Sequence, residues 1–199
     1  METPLAIALD LRPSRFAEEL FGRMVQDTAV TAPLTLEGVY RDHFAFVFRK
    51  AARMGGPGID AEDAAQEVFM VVARKLHTYD GTSAVTTWLY GILINVVRRA
   101  RRRQRMRAMF DRGGPGVDEP VREPDRAEVA DARRIAYAIL DKMKTKHRDV
   151  FILSEFEGLS CEEIARLVDC RVETVWSRLH YARKEFAGRL AKRGLGGTT

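Results

Sequence analysis

The chain holds 199 residues with a formal net charge of +5 and a pI near 9.4, room for one domain or two small ones. The basic balance points to a polyanionic partner. Its two cysteines, Cys161 and Cys170, form no CxxC or Cys/His pattern for zinc; no apolar run reaches a membrane span, and PLAIAL is too short for a secretory core. A soluble, reducing, cytoplasmic protein with no metal or cofactor is expected.

Residues 1–33 read as an N-terminal extension, partly mobile. Within it Pro13 to Gln26 has the pattern of a short amphipathic helix, with Phe16, Leu20, Phe21 and Met24 on one side. A sustained helical signal begins at Leu36, where Val39, Tyr40, Phe44, Val47 and Phe48 recur at helical spacing to about Met54. GGPG, residues 55–58, breaks it. Asp60 to Leu76 is the second predicted helix. Its core face is Ala65, Val68, Phe69, Val72 and Leu76; its polar face carries Glu62, Asp63, Gln66 and Glu67. His77 to Val85 is a loop, and Thr86 to about Met106 a third helix. That helix is aromatic and apolar at first, with Trp88 and Tyr90, then polybasic, with seven arginines in the ten residues Arg98 to Arg107.

Residues 108–130 are expected to be a linker. From Ala108 to Asp131 there are seven acids against three bases, a local charge of −4, with glycine and proline and few apolar residues. A second helical domain, residues 131–193, follows, and 194–199 is a tail. Val129, Ile135, Ala136, Ile139 and Leu140 face inward on its first helix, and His147 to Gly158 forms another. Leu159 to Phe186 then has helix-turn-helix spacing. Ser160 and Glu163 make a capping box; Ile164, Ala165 and Val168 form one apolar face. DCR, residues 169–171, interrupts, and Val172, Val175, Leu179, Ala182 and Phe186 form the next face. An ordinary helical hairpin has the same spacing, but seven bases against two acids between Arg171 and Arg193 favour nucleic acid. The fold class is all-α: two small helical domains joined by a flexible acidic tether.

The chemistry that is present is binding chemistry. No phosphate-cradling glycine loop, HExxH or GxSxG occurs, and the four histidines are scattered, so an enzyme is not expected. Arginines along the third helix can grip phosphates and release counterions. Tyr79, Trp88 and Tyr90 can stack on unpaired bases, although Trp88 and Leu89 can equally fill the core. On the last helix Glu173, Ser177, His180, Tyr181 and Lys184 lie opposite the apolar face, flanked by Trp176, Arg178 and Arg183, a set able to meet base edges and phosphates. Arg171 stands at the N-cap, where it cannot accept the free amides, a loss of ~1 kcal/mol.

Taken together, DAEDAAQEVFMVVARKL, YDGTSAVTTWLYGILINVVRR, HRDVFILSEFEGLSCEEIA and VETVWSRLHYARKEF resemble the extracytoplasmic-function group of bacterial RNA polymerase sigma factors, over about residues 36–192. The resemblance implies a region 2 domain at 34–107 and a region 4 domain at 131–193. It implies that Glu62, Asp63, Gln66 and Glu67 dock on the clamp helices of the largest polymerase subunit, with region 4 near the flap of the second-largest. The loop from Tyr79 through Asp80, Thr82 and Ser83 to Thr86 would capture a flipped −10 base, with Trp88, Asn95, Arg98, Arg99 and Arg102 on the −10 segment. Arg171, Thr174, Trp176, Ser177, His180, Tyr181 and Lys184 would meet the −35 element, with Arg178 on phosphate. Promoter DNA and an anti-sigma factor are the other implied partners. The family often has Gly where Asp169 stands, Ser or Pro where Arg171 stands, and arginine among the −35 readers where Trp176 and Tyr181 stand here. The acidic tether either mimics nucleic acid in a basic channel or is a solvated spacer. The competing functions are a free-standing helix-turn-helix regulator with a sensing domain and an RNA-binding adaptor.

Overall fold

A computed structural model describes residues 34–110 and 124–194, with side chains in the second segment from residue 131. The extension, residues 111–123 of the tether, and the tail from residue 195 lie outside the described residues, as does the predicted helix from Pro13 to Gln26. Every regular element among the described residues is helical, and the two segments belong to two separate compact units.

In the first unit α1 spans Leu36–Gly55. Thr35 starts it by accepting the Gly38 amide on Oγ1 at 3.1 Å, and Gly56, at φ 70°, ends it in a conformation suited to glycine. Helix α2, Ala61–Lys75, is capped by Asp60, whose carboxylate accepts from the Glu62 and Asp63 amides at 2.8 and 3.0 Å. A single 3₁₀ turn, Leu76–Thr78, leads into the loop. Helix α3, Val85–Phe110, runs past the predicted end near Met106. The three helices pack on one another around Val47, Ala51 and Met54 of α1, Ala65, Val68 and Val72 of α2, and Leu89, Leu93 and Val97 of α3, all at most 1% exposed. Each Val or Leu withdrawn from water contributes about 1.5–3 kcal/mol.

The inner face of α1 differs from the sequence expectation. Val39 and Val47 are buried, but so is Phe46, while Tyr40 is 45% and Phe48 40% exposed. The reason is geometric. Each step of four residues advances about 40° around a helix, so the 40-44-48 series drifts away from the arc centred between Phe46 and Ala51. Phe46 instead meets Tyr90 edge-on at 6.2 Å.

In the second unit α4 spans Pro124–Leu140, so helix extends into the predicted tether from this side as α3 does from the other. Helix α5, Thr145–Phe151, widens into a π turn over Ile152–Phe156. Gly158 follows at φ 69°. Helix α6, Cys161–Leu167, carries the predicted capping box: the Ser160 amide donates to Glu163 at 2.7 Å and the Glu163 amide donates to Ser160 Oγ at 3.3 Å. The turn closes with the Cys170 amide donating to the Ala165 carbonyl at 3.1 Å. Asp169 holds φ 50°, the left-handed conformation that explains why glycine suits this turn and why a short polar side chain is the next best. Helix α7 spans Val172–Ala191. Ala136, Ile139, Leu140, Val150, Leu153, Ile164, Val175, Ala182 and Phe186 build the core, with Phe151 stacked on Phe186 at 4.6 Å. Arg148, Asp149 and Glu157 are also buried, three charges that an apolar periodicity passes over.

Candidate nucleic-acid interface

Helix α2 turns its polar face outward. Glu62, Asp63 and Gln66 are exposed, and the Asp60 cap together with the acids of the first turn favours the positive end of the helix dipole. Glu67 departs from the expected open face: its carboxylate takes Arg103 of α3 at 2.7 Å, and its side chain is 29% exposed. The acidic helix and the basic helix are therefore neighbours, linked across their rims. Met70, 60% exposed one turn beyond Gln66, is an apolar member of this face that the charge pattern did not reveal.

The loop between α2 and α3 is ordered by its own side chains. The Tyr79 hydroxyl donates to the Ser83 carbonyl, and its ring lies 5.2 Å from that of Trp88, tilted by 49°. The Asp80 carboxylate accepts from the Thr82 amide at 3.0 Å and the Thr82 hydroxyl at 2.7 Å. Those bonds, the amide's first, hold Asp80 below the usual carboxylate range, so the loop keeps a negative charge at its tip. Trp88 is half-buried beside Leu89 at 0% exposure. Its ring is thus partly withdrawn from solvent and meets Tyr79 of the loop.

Along α3 the arginines divide. Asn95, Arg99 and Arg102 are exposed and Arg98 is half-buried; the Asn95 amide donates to the Gly91 carbonyl one turn back at 3.0 Å. Arg101, in the middle of the basic run, is 7% exposed and donates to the Gly55 carbonyl at 3.0 Å. It anchors α3 to the end of α1, a role the charge count could not separate from phosphate binding.

On α7 Trp176 and Tyr181 are 55% and 58% exposed, and Arg171, Ser177, His180 and Lys184 are also open to solvent, with Thr174 half-buried. The His180 ring meets Tyr181 edge-on at 5.5 Å, and His147 of α5 stacks on Tyr181 at 6.3 Å. Tyr181 is thus held upright between two imidazoles. Ser177 donates its hydroxyl to the Glu173 carbonyl at 3.0 Å, leaving its lone pairs as acceptors. Arg171 caps without any side-chain bond, as expected. Arg178 is half-buried and points its guanidinium at the Cys170 sulfur, 3.5 Å away. Arg183 is engaged by Glu155 of the π turn at 2.7 Å. Both cysteines are half-buried thiols. Burial, then the Glu162 charge, pushes the Cys161 thiol up, the direction that makes a thiol less reactive.

Among the described residues no cluster of three His, Cys, Asp or Glu could hold a metal ion, and no helix is long and apolar enough to cross a membrane. What the two units present is a class of protein: a helical bundle pairing an acidic with a basic helix, plus a helix-turn-helix whose second helix is open along one side. The Sigma-70 region 2 family matches residues 39–107 and the Sigma-70 region 4 family residues 133–186. An RNA polymerase sigma-H factor of Pseudomonas aeruginosa is 35% identical over 63% of this chain and 70% of its own length. The extracytoplasmic-function (ECF) sigma-E factor of Escherichia coli is 31% identical over 64% of this chain and 72% of its own. A third relative, the ECF sigma factor SigE of Mycolicibacterium smegmatis, is 33% identical over 76% of this chain, and the match spans 60% of the relative. The solved structure of CnrH in complex with the cytosolic domain of CnrY shares the fold, with a TM-score of 0.56 at 22% identity over 85% of this chain and 96% of that one. The chain belongs to the ECF RNA polymerase sigma factor family. It is an alternative sigma factor, and the free-standing regulator is not favoured.

Proposed function

We propose that this sigma factor binds core RNA polymerase through α2, reads the −10 element with the Tyr79 loop and α3, and reads the −35 element with α7. It opens promoter DNA in the cytoplasm without bond chemistry of its own. The observation that carries the reading is the pairing of an acidic helix and a basic helix in one small unit, joined at Glu67 and Arg103. One rim suits a basic protein surface and the other a phosphate backbone. The clamp helices of the largest subunit are the proposed contact for Glu62, Asp63, Gln66 and Glu67, and the flap of the second-largest for the second unit. In the loop, Tyr79, Asp80, Thr82 and Ser83 form a preshaped rim for an extruded base, with Trp88 at its floor and Asn95, Arg98, Arg99 and Arg102 on the flanking strand. In the second unit Trp176, Ser177, His180 and Tyr181 face base edges, while Arg171, Thr174, Arg178 and Lys184 serve the backbone. For Arg178 this requires the guanidinium to leave Cys170. The structure of RpoE from Bartonella quintana is a complex with the anti-sigma factor NepR, which supports an anti-sigma factor as a further partner here.

Binding of core polymerase to the Asp63→Lys, Glu67→Lys double variant tests the docking assignment. Loss of core binding is expected, with helix content unchanged by circular dichroism. Undiminished affinity would remove α2 as the docking element.

A further inference from the structure

His147 has no part in the roles assigned above, yet it ties one stripe of α7 to the rest of its unit. Tyr181, Glu185 and Arg189 stand four residues apart on α7 and so share that stripe. The His147 ring, reaching over from the first turn of α5, lies against two of the three. It stacks on Tyr181 at 6.3 Å with 16° between the ring planes, within the range that ring pairs favour. Its Nδ1 lies 3.4 Å from the Glu185 carboxylate. Arg189 in turn donates to Glu185 at 2.9 Å and to the Lys142 carbonyl at 3.1 Å. The series therefore ends on backbone between α4 and α5. We propose that His147 is a positioning residue for −35 recognition, setting the Tyr181 ring in its reading conformation before DNA arrives. The proposal rests on the reading of α7 as the −35 helix.

Tyr181 needs such a support. It is 58% exposed, so no core packing selects its rotamer, and freedom that remains in the free protein is lost on binding. His180 meets the ring edge-on, but it is itself exposed and belongs to the same helix. His147 differs on both counts. Its side chain is only 21% exposed, and it comes from a separate element. Its own ring plane is chosen as well. Rotation about the outer bond of a histidine is broad, and the contact with Glu185 selects one setting. An ionised carboxylate only accepts, so Nδ1 is the donor. A direct phosphate contact by His147 is the competing role, and it would act on all sequences alike.

The test uses polymerase holoenzyme carrying the full chain. Its readout is the ratio of affinities for the −35 sequence preferred by the parent and for each single-base change in it. A ratio taken within one preparation does not depend on the folded fraction, so a variant that folds poorly is still read. His147→Ala should lower discrimination at the same positions as Tyr181→Ala, by roughly two- to tenfold. It should lower it no further in the Tyr181→Ala background. His147→Phe, which keeps a ring on Tyr181, should restore at least part of the loss. Discrimination unchanged in His147→Ala while every affinity falls would overturn the inference, as would a further loss in the double variant or no rescue by phenylalanine. If Tyr181→Ala itself leaves discrimination intact, the reading of α7 fails and this inference with it; if only His147→Ala does, the reading stands and the inference alone falls.

Discussion

Helices α3 and α7 are the two basic helices of this molecule, and they distribute their charge differently. On α3 the basic run is shared with the fold: Arg101 is buried on the Gly55 carbonyl and Arg103 is paired with Glu67, while Arg99 and Arg102 remain open. On α7 the apolar and open sides are cleanly separated, with Val175, Leu179, Ala182 and Phe186 inside and Trp176, His180 and Tyr181 outside. The π turn at Ile152–Phe156 places Glu155 where it engages Arg183 at the edge. A helix that closes a core, as α3 does, gives some of its arginines to the fold. A helix with a dedicated outer face keeps Trp176, His180 and Tyr181 open to solvent.

That contrast can be broken most sharply at Arg101. Arg101→Ala leaves the Gly55 carbonyl without its charged donor and should cost about 2 kcal/mol of unfolding free energy, seen as a lower calorimetric midpoint for the first unit. The adjacent Arg102→Ala should change stability by no more than about 0.5 kcal/mol and instead lower the salt slope of promoter binding by roughly one. Equal stability effects at the two positions would erase the division proposed for α3.

On α7 the sharper probe is base preference. His180→Ala and Tyr181→Ala should each relax selection at particular −35 positions, by ~1–3 kcal/mol per lost pair contact. Lys184→Ala should weaken all sequences alike, because a phosphate carries no base identity. Selection from randomised −35 sequences distinguishes the two outcomes. An unchanged preferred motif from both aromatic variants would mean that another arc of α7 enters the groove.

A smaller effect of mixed sign is expected at Arg171. Arg171→Ser supplies an acceptor for the free amides of α7 and should add ~1 kcal/mol of stability. It removes an exposed cation from the proposed DNA face, so promoter affinity should drop as thermal stability rises. A variant that improves both would show that Arg171 has no DNA contact.

What was legible in the sequence follows the same contrast. The helix-turn-helix is local: the capping box, the turn and most of both apolar arcs are set by spacing within Ser160 to Phe186, and the structure shows them, with Val168 and Val172 at the ends of the arcs only half-buried. The all-helical architecture and most of the core of α2 were legible for the same reason; Leu76, expected on that core, is half-buried in the 3₁₀ turn beyond the helix, and Ala64 is buried in addition. The first unit asks for tertiary knowledge. Phe46 rather than Phe48 faces inward because α1 packs against two helices at once, and the sequence alone does not say which of the apolar arcs of α1 they cover. Arg101 and Arg103 are indistinguishable from their neighbours in composition, and only the position of Gly55 and Glu67 in space separates them. Arg148, Asp149 and Glu157 are buried for tertiary reasons too.

The mildest expected effect lies at Glu185 of α7 and is a dependence on pH. Burial pushes the Glu185 carboxyl up, but hydrogen bonds from Arg189 and His147 outweigh it and hold the group below its ordinary value of 4.5. Arg189 approaches at 2.9 Å and His147 at 3.4 Å, and Arg189 also donates to the Lys142 carbonyl at 3.1 Å. A carboxylate whose folded value is depressed contributes stability that is full above the unfolded value and is lost as pH falls through the folded one. The second unit should therefore lose stability as pH drops below 4.5. An i,i+4 pair of this kind is worth about 0.3–0.5 kcal/mol, so the shift in melting temperature should be a few degrees at most. Glu185→Gln should remove that part of the pH dependence and, because His147 also stacks on Tyr181, loosen the Tyr181 ring. Identical melting curves for the variant and the parent between pH 3 and 6 would show that the Glu185 contacts contribute nothing to the fold.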